Sequence, residues 1–256
     1  MALLDVENLS IQFGGLKAVN NFNLSLEHGE LVAIIGPNGA GKTTVFNMLT
    51  GLYKPTEGDI RLDGKSIVGL KPHDFTERGI ARTFQNIRLF SNVSVLDNIK
   101  IAYTLQMKYG FGEALFRTKK FNATEDEFER KSLDILEIFK LDKKADLLAK
   151  NLPYGEQRRL EIARALATNP KILLLDEPVA GMNPNEMEDL VNLVRDIKVR
   201  FNLTILLIEH HMSVVMNIAD RIKVLDFGET IAEGKPAEIQ NNPKVIEAYL
   251  GGGHKE

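Results

Sequence analysis

The chain contains no cysteine, which excludes disulfides, thiolate catalysis, iron–sulfur clusters and cysteine-based zinc sites, and suits a reducing compartment. Long apolar runs are missing as well. The longest, Leu31 to Ile35, has five residues, whereas a membrane-spanning helix needs about 20. The expectation is a chain that does not cross a bilayer by itself. Nor does one sign of charge dominate: 32 basic against 35 acidic residues give a net charge of −3. Such a balance argues against a broad electrostatic surface for nucleic acid or anionic lipid. Met1 to Asp5 offer neither the basic start nor the apolar stretch and cleavage site of a secretory signal, so export is not expected. The 256 residues suffice to bury a sizeable core as one large domain or two intimate ones.

The first 35 residues read as strands separated by polar turns: Leu4–Phe13, Phe22–Glu27 and Leu31–Ile35. The third is apolar throughout, as a strand covered on both faces would be. Gly36-Pro37-Asn38-Gly39 then break the pattern, and Lys42–Leu49 reads as a helix ended by Gly51. Two further apolar strands, Ile172–Leu175 and Leu203–Ile208, flank a helix whose stripe is Met187, Leu190, Val191 and Val194. Strand, helix, strand predicts a parallel sheet with a right-handed crossover. Helical patterns dominate the intervening stretch, including Glu125–Phe139 and Arg158–Ala167, while Lys108–Asn122 reads as a loop. The expected organisation is an α/β core made of residues 1–86 and 167–256, with a helical subdomain inserted at 87–166.

Gly36-Pro37-Asn38-Gly39-Ala40-Gly41-Lys42-Thr43 is a complete G-x-x-x-x-G-K-[ST] phosphate loop set between a strand and a helix. Its glycines let the backbone wrap so that N–H groups and the helix N-terminus face the phosphates. Lys42 is the point charge for the β- and γ-phosphates, and the Thr43 hydroxyl is offered to Mg²⁺. Thr44 belongs to the same nucleotide-binding set. At the other end of the chain, four apolar residues deliver Asp176 and Glu177 to the end of a buried strand, where ligands sit in an open α/β sheet. Asp176 is expected to hold Mg²⁺, directly or through water, and Glu177 to polarise the water that attacks the γ-phosphate. An acidic pair after a strand is by itself more often a solvated turn, but its coupling to a phosphate loop favours the functional reading.

The segment Asn151 to Leu166 reads by itself as a loop and the start of a helix, with Leu160, Ala163 and Ala167 on its apolar face. Its Gly155 precedes Asp176 by 21 residues (176 − 155). A phosphate loop, then Leu152–Gln157, then Asp176-Glu177, then His210 resembles the ATP-binding cassette ATPases over essentially the whole chain. The resemblance implies a P-loop NTPase core carrying an N-terminal antiparallel β subdomain and an inserted helical subdomain. It also implies a head-to-tail dimer, in which Gly155 and the start of its helix meet the γ-phosphate held by the other protomer. Within Arg82-Thr83-Phe84-Gln85, Gln85 matches the glutamine that senses Mg²⁺ and γ-phosphate. His210 matches the switch histidine on the γ-phosphate, with His211 expected to face solvent. Phe13 matches the aromatic residue that stacks on adenine, with Val19 completing an apolar cleft, although either could instead pack in the core.

Two departures from the family pattern stand out. Where the signature commonly reads Leu-Ser-Gly-Gly-Gln, this chain has Leu152-Pro153-Tyr154-Gly155-Glu156. The serine hydroxyl is gone, and proline has no N–H, so any trans contact falls to Gly155 and its neighbours. The loop Ala180-Gly181-Met182-Asn183 ends in asparagine rather than aspartate, and Asn183-Pro184-Asn185-Glu186 also suits a helix start, making Asn183 a cap as much as an interface residue.

Within the family, Phe13–Val19, Arg82–Phe90, Tyr154–Arg164, Ile208-Glu209-His210, the long segment after Asn98 and the ending Asn242–Gly251 resemble the cassettes of high-affinity branched-chain amino acid importers. That resemblance implies an ATP-hydrolysing subunit, peripheral at the cytoplasmic face of the inner or plasma membrane. Its partners would be a second, related cassette, permease subunits coupled through Gln85 to Ser94 and, indirectly, a substrate-binding protein outside; no nucleic acid is implied. Nothing in the cassette itself touches an amino acid. Urea, short amides or exported lipopolysaccharide are the alternative substrates. A non-transport cassette ATPase of DNA maintenance or the ribosome would bring long coiled coils or a second cassette, and neither is present here. A module that holds ATP without hydrolysing it fits Pro153 but not the retention of Glu177 and His210.

Overall fold

The computed structural model describes residues 2–107 and 109–250. The chain forms two compact units, Met1–Arg82 with Lys171–Glu256, and Thr83–Pro170.

The first unit begins with a hairpin of β1 (Leu4–Phe13) and β2 (Leu16–Leu26), followed by β3 (Leu31–Ile35) and α1 (Lys42–Leu49). β4 (Glu57–Leu62) and β5 (Lys65–Ser66) complete an antiparallel sheet ordered β2-β1-β4-β5. β2 starts well before the expected Phe22. Main-chain pairing of Ile11 with Val19, Gln12 with Lys17 and Phe13 with Leu16 carries its first half, in which Val19 alone is buried, so the apolar pattern there is too short to read. α2 (Pro72–Glu77) and β6 (Ile80–Arg82) end this part of the unit.

The second unit holds α3 (Val95–Ala102), α4 (Phe111–Leu115), α5 (Lys119–Ile138) and α6 (Tyr154–Ala167). Three departures from expectation occur here. α5 starts at Lys119, where Thr118 accepts a hydrogen bond from the Phe121 N–H. Its first buried residue is Thr124, so apolar periodicity sets in only after the helix has begun. The expected loop at Lys108–Asn122 contains α4 as well, with the Glu113 carboxylate accepting the Gly110 N–H at 2.8 Å; Lys108 lies outside the described residues. α6 begins directly after Pro153 rather than at Arg158, because none of the residues 154–157 is buried and its first turn therefore carries no apolar pattern.

The chain then returns to the first unit with β7 (Ile172–Asp176), α7 (Pro184–Arg200), β8 (Thr204–Ile208) and α8 (Met212–Ile218). It closes with β9 (Arg221–Asp226), β10 (Glu229–Gly234), α9 (Pro236–Gln240) and α10 (Pro243–Leu250). The second sheet runs β10-β9-β3-β8-β7-β6, parallel except where β10 pairs with β9. Every residue of β3, β7 and β8 is buried, as parallel strands covered on both faces require. One core cluster joins Val6, Leu9 and Phe22 of the antiparallel sheet to Val32, Ile34, Phe46, Leu174 and Leu206.

α7 shows how local chemistry fixes a helix start. The Asn183 Oδ1 accepts the Glu186 N–H, and the Glu186 carboxylate accepts the Asn183 N–H, both at 3.0 Å, with Pro184 at the first helical position. Asn183→Ala is expected to lower stability by about 1 kcal/mol, and Asn183→Ser to retain most of it. Urea unfolding of the two variants measures the difference.

Candidate nucleotide site

After β3 the backbone must leave a buried strand and enter α1 within a few residues, and two glycines make this possible. Gly36 has φ 149°, and a Cβ there would sit 2.0 Å from the Leu225 carbonyl oxygen. Gly41, the N-cap of α1, has φ 98°, and its Cβ would lie 2.8 Å from the Ala18 oxygen. Only glycine fits either position. No acidic residue occupies the first turn of α1 and no side chain caps it. Its first N–H groups and the positive end of its dipole are therefore available to an anion.

Asn38, Gly39 and Thr43 are exposed, Pro37 and Thr44 half-buried, and Ala40 buried. Ala40 anchors the loop, accepting the Gly228 N–H at 3.1 Å. Lys42 folds back into the mouth of the loop, where its Nζ donates to the carbonyls of Gly36 at 2.7 Å and Pro37 at 2.9 Å. Burial holds its pKa below the usual lysine value, opposed by the nearby Glu177 and Asp176. Phosphate oxygens would offer that ammonium a stronger, charge-assisted bond than these neutral carbonyls do.

The acidic pair stands at the end of β7, with Asp176 in register with Ile208 of β8. Asp176 is buried, and its carboxylate accepts from Arg82 at 2.7 Å. The Arg82 guanidinium also donates to Asn47 of α1 at 2.8 Å and lies over the Phe46 ring. One cation thus ties β6, β7 and α1 together. Glu177 adopts φ 47°, a left-handed conformation that only a few per cent of non-glycine residues share. Its N–H donates to the Ile208 carbonyl at 2.9 Å. The resulting reversal brings the Glu177 Oε2 within 3.7 Å of the His210 Nδ1.

Here one expectation is corrected. His211 does not simply face solvent: its Nδ1 lies 3.0 Å from the Glu209 Oε2, and its ring packs against His210 with centroids 4.2 Å apart. His210 is the more exposed of the pair, at 48% against 31%. Of the two readings open for Val19, cleft or core, the structure shows the core. The residue is fully buried and sits behind the phosphate loop, where a Cβ on Gly41 would meet its Cγ2 at 3.2 Å. Phe13, at the tip of β1, is 44% exposed and meets Tyr53 edge-on, with centroids 5.3 Å apart. An accessible aromatic face is therefore present, and Tyr53 is a neighbour that local pattern could not reveal.

Tyr249 of α10 was equally hidden. It shares a hydrogen bond with the Gly36 main chain, and burial raises its phenol pKa. A cavity of about 840 Å³ opens there, lined by Pro37, Asn38, Gly39, Phe227 and Tyr249. The phosphate loop and these two aromatic residues are far apart in the chain, and only tertiary structure joins them.

In the unit Thr83–Pro170, Gln85 is exposed and Gly155 half-buried in the first turn of α6. A buried ion pair on α6 grips the backbone around Gln85. Arg158 donates to the carbonyls of Phe84 and Gln85 at 2.6 and 2.7 Å and to Glu161 at 2.8 Å. Glu161 accepts the N–H groups of Phe84 and Arg88 at 3.4 and 3.1 Å. Charged residues are rarely this buried unless paired, and the two side chains here pair with each other and with main chain. At the start of α6, Pro153 supplies no side-chain cap and Glu156 is paired with Lys144.

A strained acidic strand end beside a histidine, facing a glycine loop with a retracted lysine, defines a nucleotide-binding site of the cassette type. The chain belongs to the ATP-binding cassette family: the model described as ABC transporter matches residues 19–180, and that described as branched-chain amino acid ATP-binding cassette transporter matches residues 229–255. It is a nucleotide-binding transport ATPase. The high-affinity branched-chain amino acid transport ATP-binding protein LivG of Escherichia coli is 49% identical over 97% of this chain and 98% of its own. A crystal structure of an ATP-binding cassette of an ABC transporter in its ADP conformation is 36% identical, with TM-score 0.85 over 98% of this chain and 99% of that one. A dimeric post-hydrolysis cassette bound to ADP and Pi is 27% identical, with TM-score 0.76 over 91% of this chain and 98% of that one.

Removing Arg82 deletes a buried cationic partner of Asp176. Arg82→Ala is expected to destabilise the protein by about 3–5 kcal/mol, read from urea unfolding. Adding Asp176→Asn in the same chain recovers part of that loss, because the buried charge goes with its partner.

Proposed function

We propose that this chain is the ATP-hydrolysing subunit of an importer for branched-chain amino acids, bound peripherally at the cytoplasmic face of the membrane. The observation that carries the reading is nearly full-length similarity to LivG, supported by the C-terminal match at 229–255. No described helix is long and apolar enough to cross a membrane, so attachment would come from protein contacts with permease subunits.

In this reading Lys42 leaves the Gly36 and Pro37 carbonyls for the β- and γ-phosphates, and the N–H groups from Gly39 to Thr44 receive the remaining phosphate oxygens. Phe13 stacks on adenine. Thr43 and Asp176 offer the hard oxygen donors that Mg²⁺ prefers, and Gln85 is proposed as a further donor on the family's pattern. Magnesium would neutralise charge on the β- and γ-oxygens. Glu177 takes the proton of the attacking water, and His210 hydrogen-bonds the γ-phosphate. Gly155 would meet the nucleotide of the other protomer.

Nucleotide draws two cassettes together because it contacts both only in the closed pair, and hydrolysis removes those contacts. The dimeric ADP-and-Pi-bound neighbour supports such a pairing, and the partner proposed is a related but different cassette. The unit Thr83–Pro170 is the proposed signature subdomain, with Gln85 to Ser94 receiving a coupling helix of the permease. A substrate-binding protein outside completes the system.

Glu177→Gln is expected to keep ATP binding and abolish turnover, measured as phosphate release by the purified variant with its partner cassette; undiminished release would sink the assignment. Phe13→Ala is expected to weaken ATP by about 1–2 kcal/mol, the scale of a lost aromatic stack. Unchanged affinity would reduce Phe13 to a packing partner of Tyr53. Reconstitution with the permease and binding protein settles the substrate: ATPase activity should rise with leucine, isoleucine or valine. A rise with urea or short amides alone would overturn the reading.

A further inference from the structure

Glu209, the residue directly after β8, is fully buried. Nothing in the proposed chemistry uses it, and a carboxylate placed there needs partners. Its partners are three backbone N–H groups and one imidazole nitrogen. Oε2 accepts the N–H of His210 at 2.8 Å and of His211 at 3.0 Å, and lies 3.0 Å from the His211 Nδ1. Oε1 accepts the Val179 N–H at 3.4 Å. A carboxylate offers acceptors only, so it matches this set with the imidazole protonated at Nδ1.

The bonds join two separate chain reversals. Val179 lies two residues beyond Glu177, in the turn leaving β7, whereas His210 and His211 lie in the turn leaving β8. A second tie runs between the same turns, from the Glu177 N–H to the Ile208 carbonyl at 2.9 Å. Between these ties the His210 Nδ1 sits 3.7 Å from Glu177 Oε2 and 3.7 Å from Glu209 Oε2.

We propose that Glu209 is a positioning residue for ATP hydrolysis, clasping the turn that carries His210 to the turn that carries Glu177 without touching nucleotide itself. The inference rests on the roles given above to Glu177 and His210. A misplacement of about 1 Å between reacting groups is enough to slow a reaction about a hundredfold, so the clasp governs turnover rather than binding.

Glu209→Gln keeps shape and one acceptor but turns an N–H₂ toward a donor; Glu209→Asp keeps the charge but falls short by a methylene, and serves if the glutamine variant fails to fold. Each is assayed with the full chain and its partner cassette. The expected result is a kcat lowered about tenfold or more, with KM and the Kd for ATP within about twofold of the parent. In isotope-labelled histidine spectra the His210 and His211 ring signals should both shift. Unchanged kcat in a folded variant would overturn the proposal, as would a parallel loss of ATP affinity and thermal stability, which marks a merely structural residue. His210→Ala separates the two levels. If it leaves kcat intact, the role of His210 itself fails and the clasp with it; if it lowers kcat while Glu209→Gln does not, only the clasp fails.

Discussion

Parallel pairing of β3 with β8, and of β8 with β7, brings the ends of three buried strands to one edge of a sheet, and each must turn immediately into a loop. The turn after β3 carries Lys42, that after β7 carries Glu177, and that after β8 carries His210. Because each strand is covered on both faces, none can slip in register without exposing apolar side chains. The site's precision is therefore inherited from the sheet. Loops alone could not hold a carboxylate, an ammonium and an imidazole in such fixed relation, since loops are the more mobile part of a fold.

Buried charged groups fix backbone in both compact units. Arg82 joins Asp176 to α1, Arg158 with Glu161 fixes the backbone around Gln85, and Glu209 gathers the N–H groups of two turns. Arg158, Glu161 and Glu209 hydrogen-bond main chain directly, whereas Arg82 links side chains of α1 and β7. Such arrangements are poor sources of net stability. Their value lies in specifying one backbone path, since any alternative would leave a buried charge short of partners.

What the sequence revealed was whatever local chemistry decides. The limits of β1, β3 and α1 follow from apolar runs and glycine punctuation, and the α7 start from Asn183, Pro184 and Glu186. The phosphate loop and the acidic pair were legible because their geometry is encoded within a few consecutive residues. The missed features have a shared cause. The first half of β2 is held by main-chain pairing, and α5 and α6 each begin before their buried face does. Glu209, Tyr53 and Tyr249 acquire their roles from partners distant in sequence, so no local signal marked them. The histidine pair makes the point sharply: two identical neighbours differ in exposure because a buried carboxylate, one position earlier, holds the second ring.

The left-handed conformation of Glu177 sets stability against activity at a single residue. Such a backbone costs an ordinary side chain about 1 kcal/mol or more, and glycine or asparagine would relieve it. A chain evolving only toward a more stable fold would thus be drawn to replace the residue proposed to activate water. In the proposed role the carboxylate occupies a strained position for the sake of its chemistry, with the buried strands beneath supplying the stability that this position gives up.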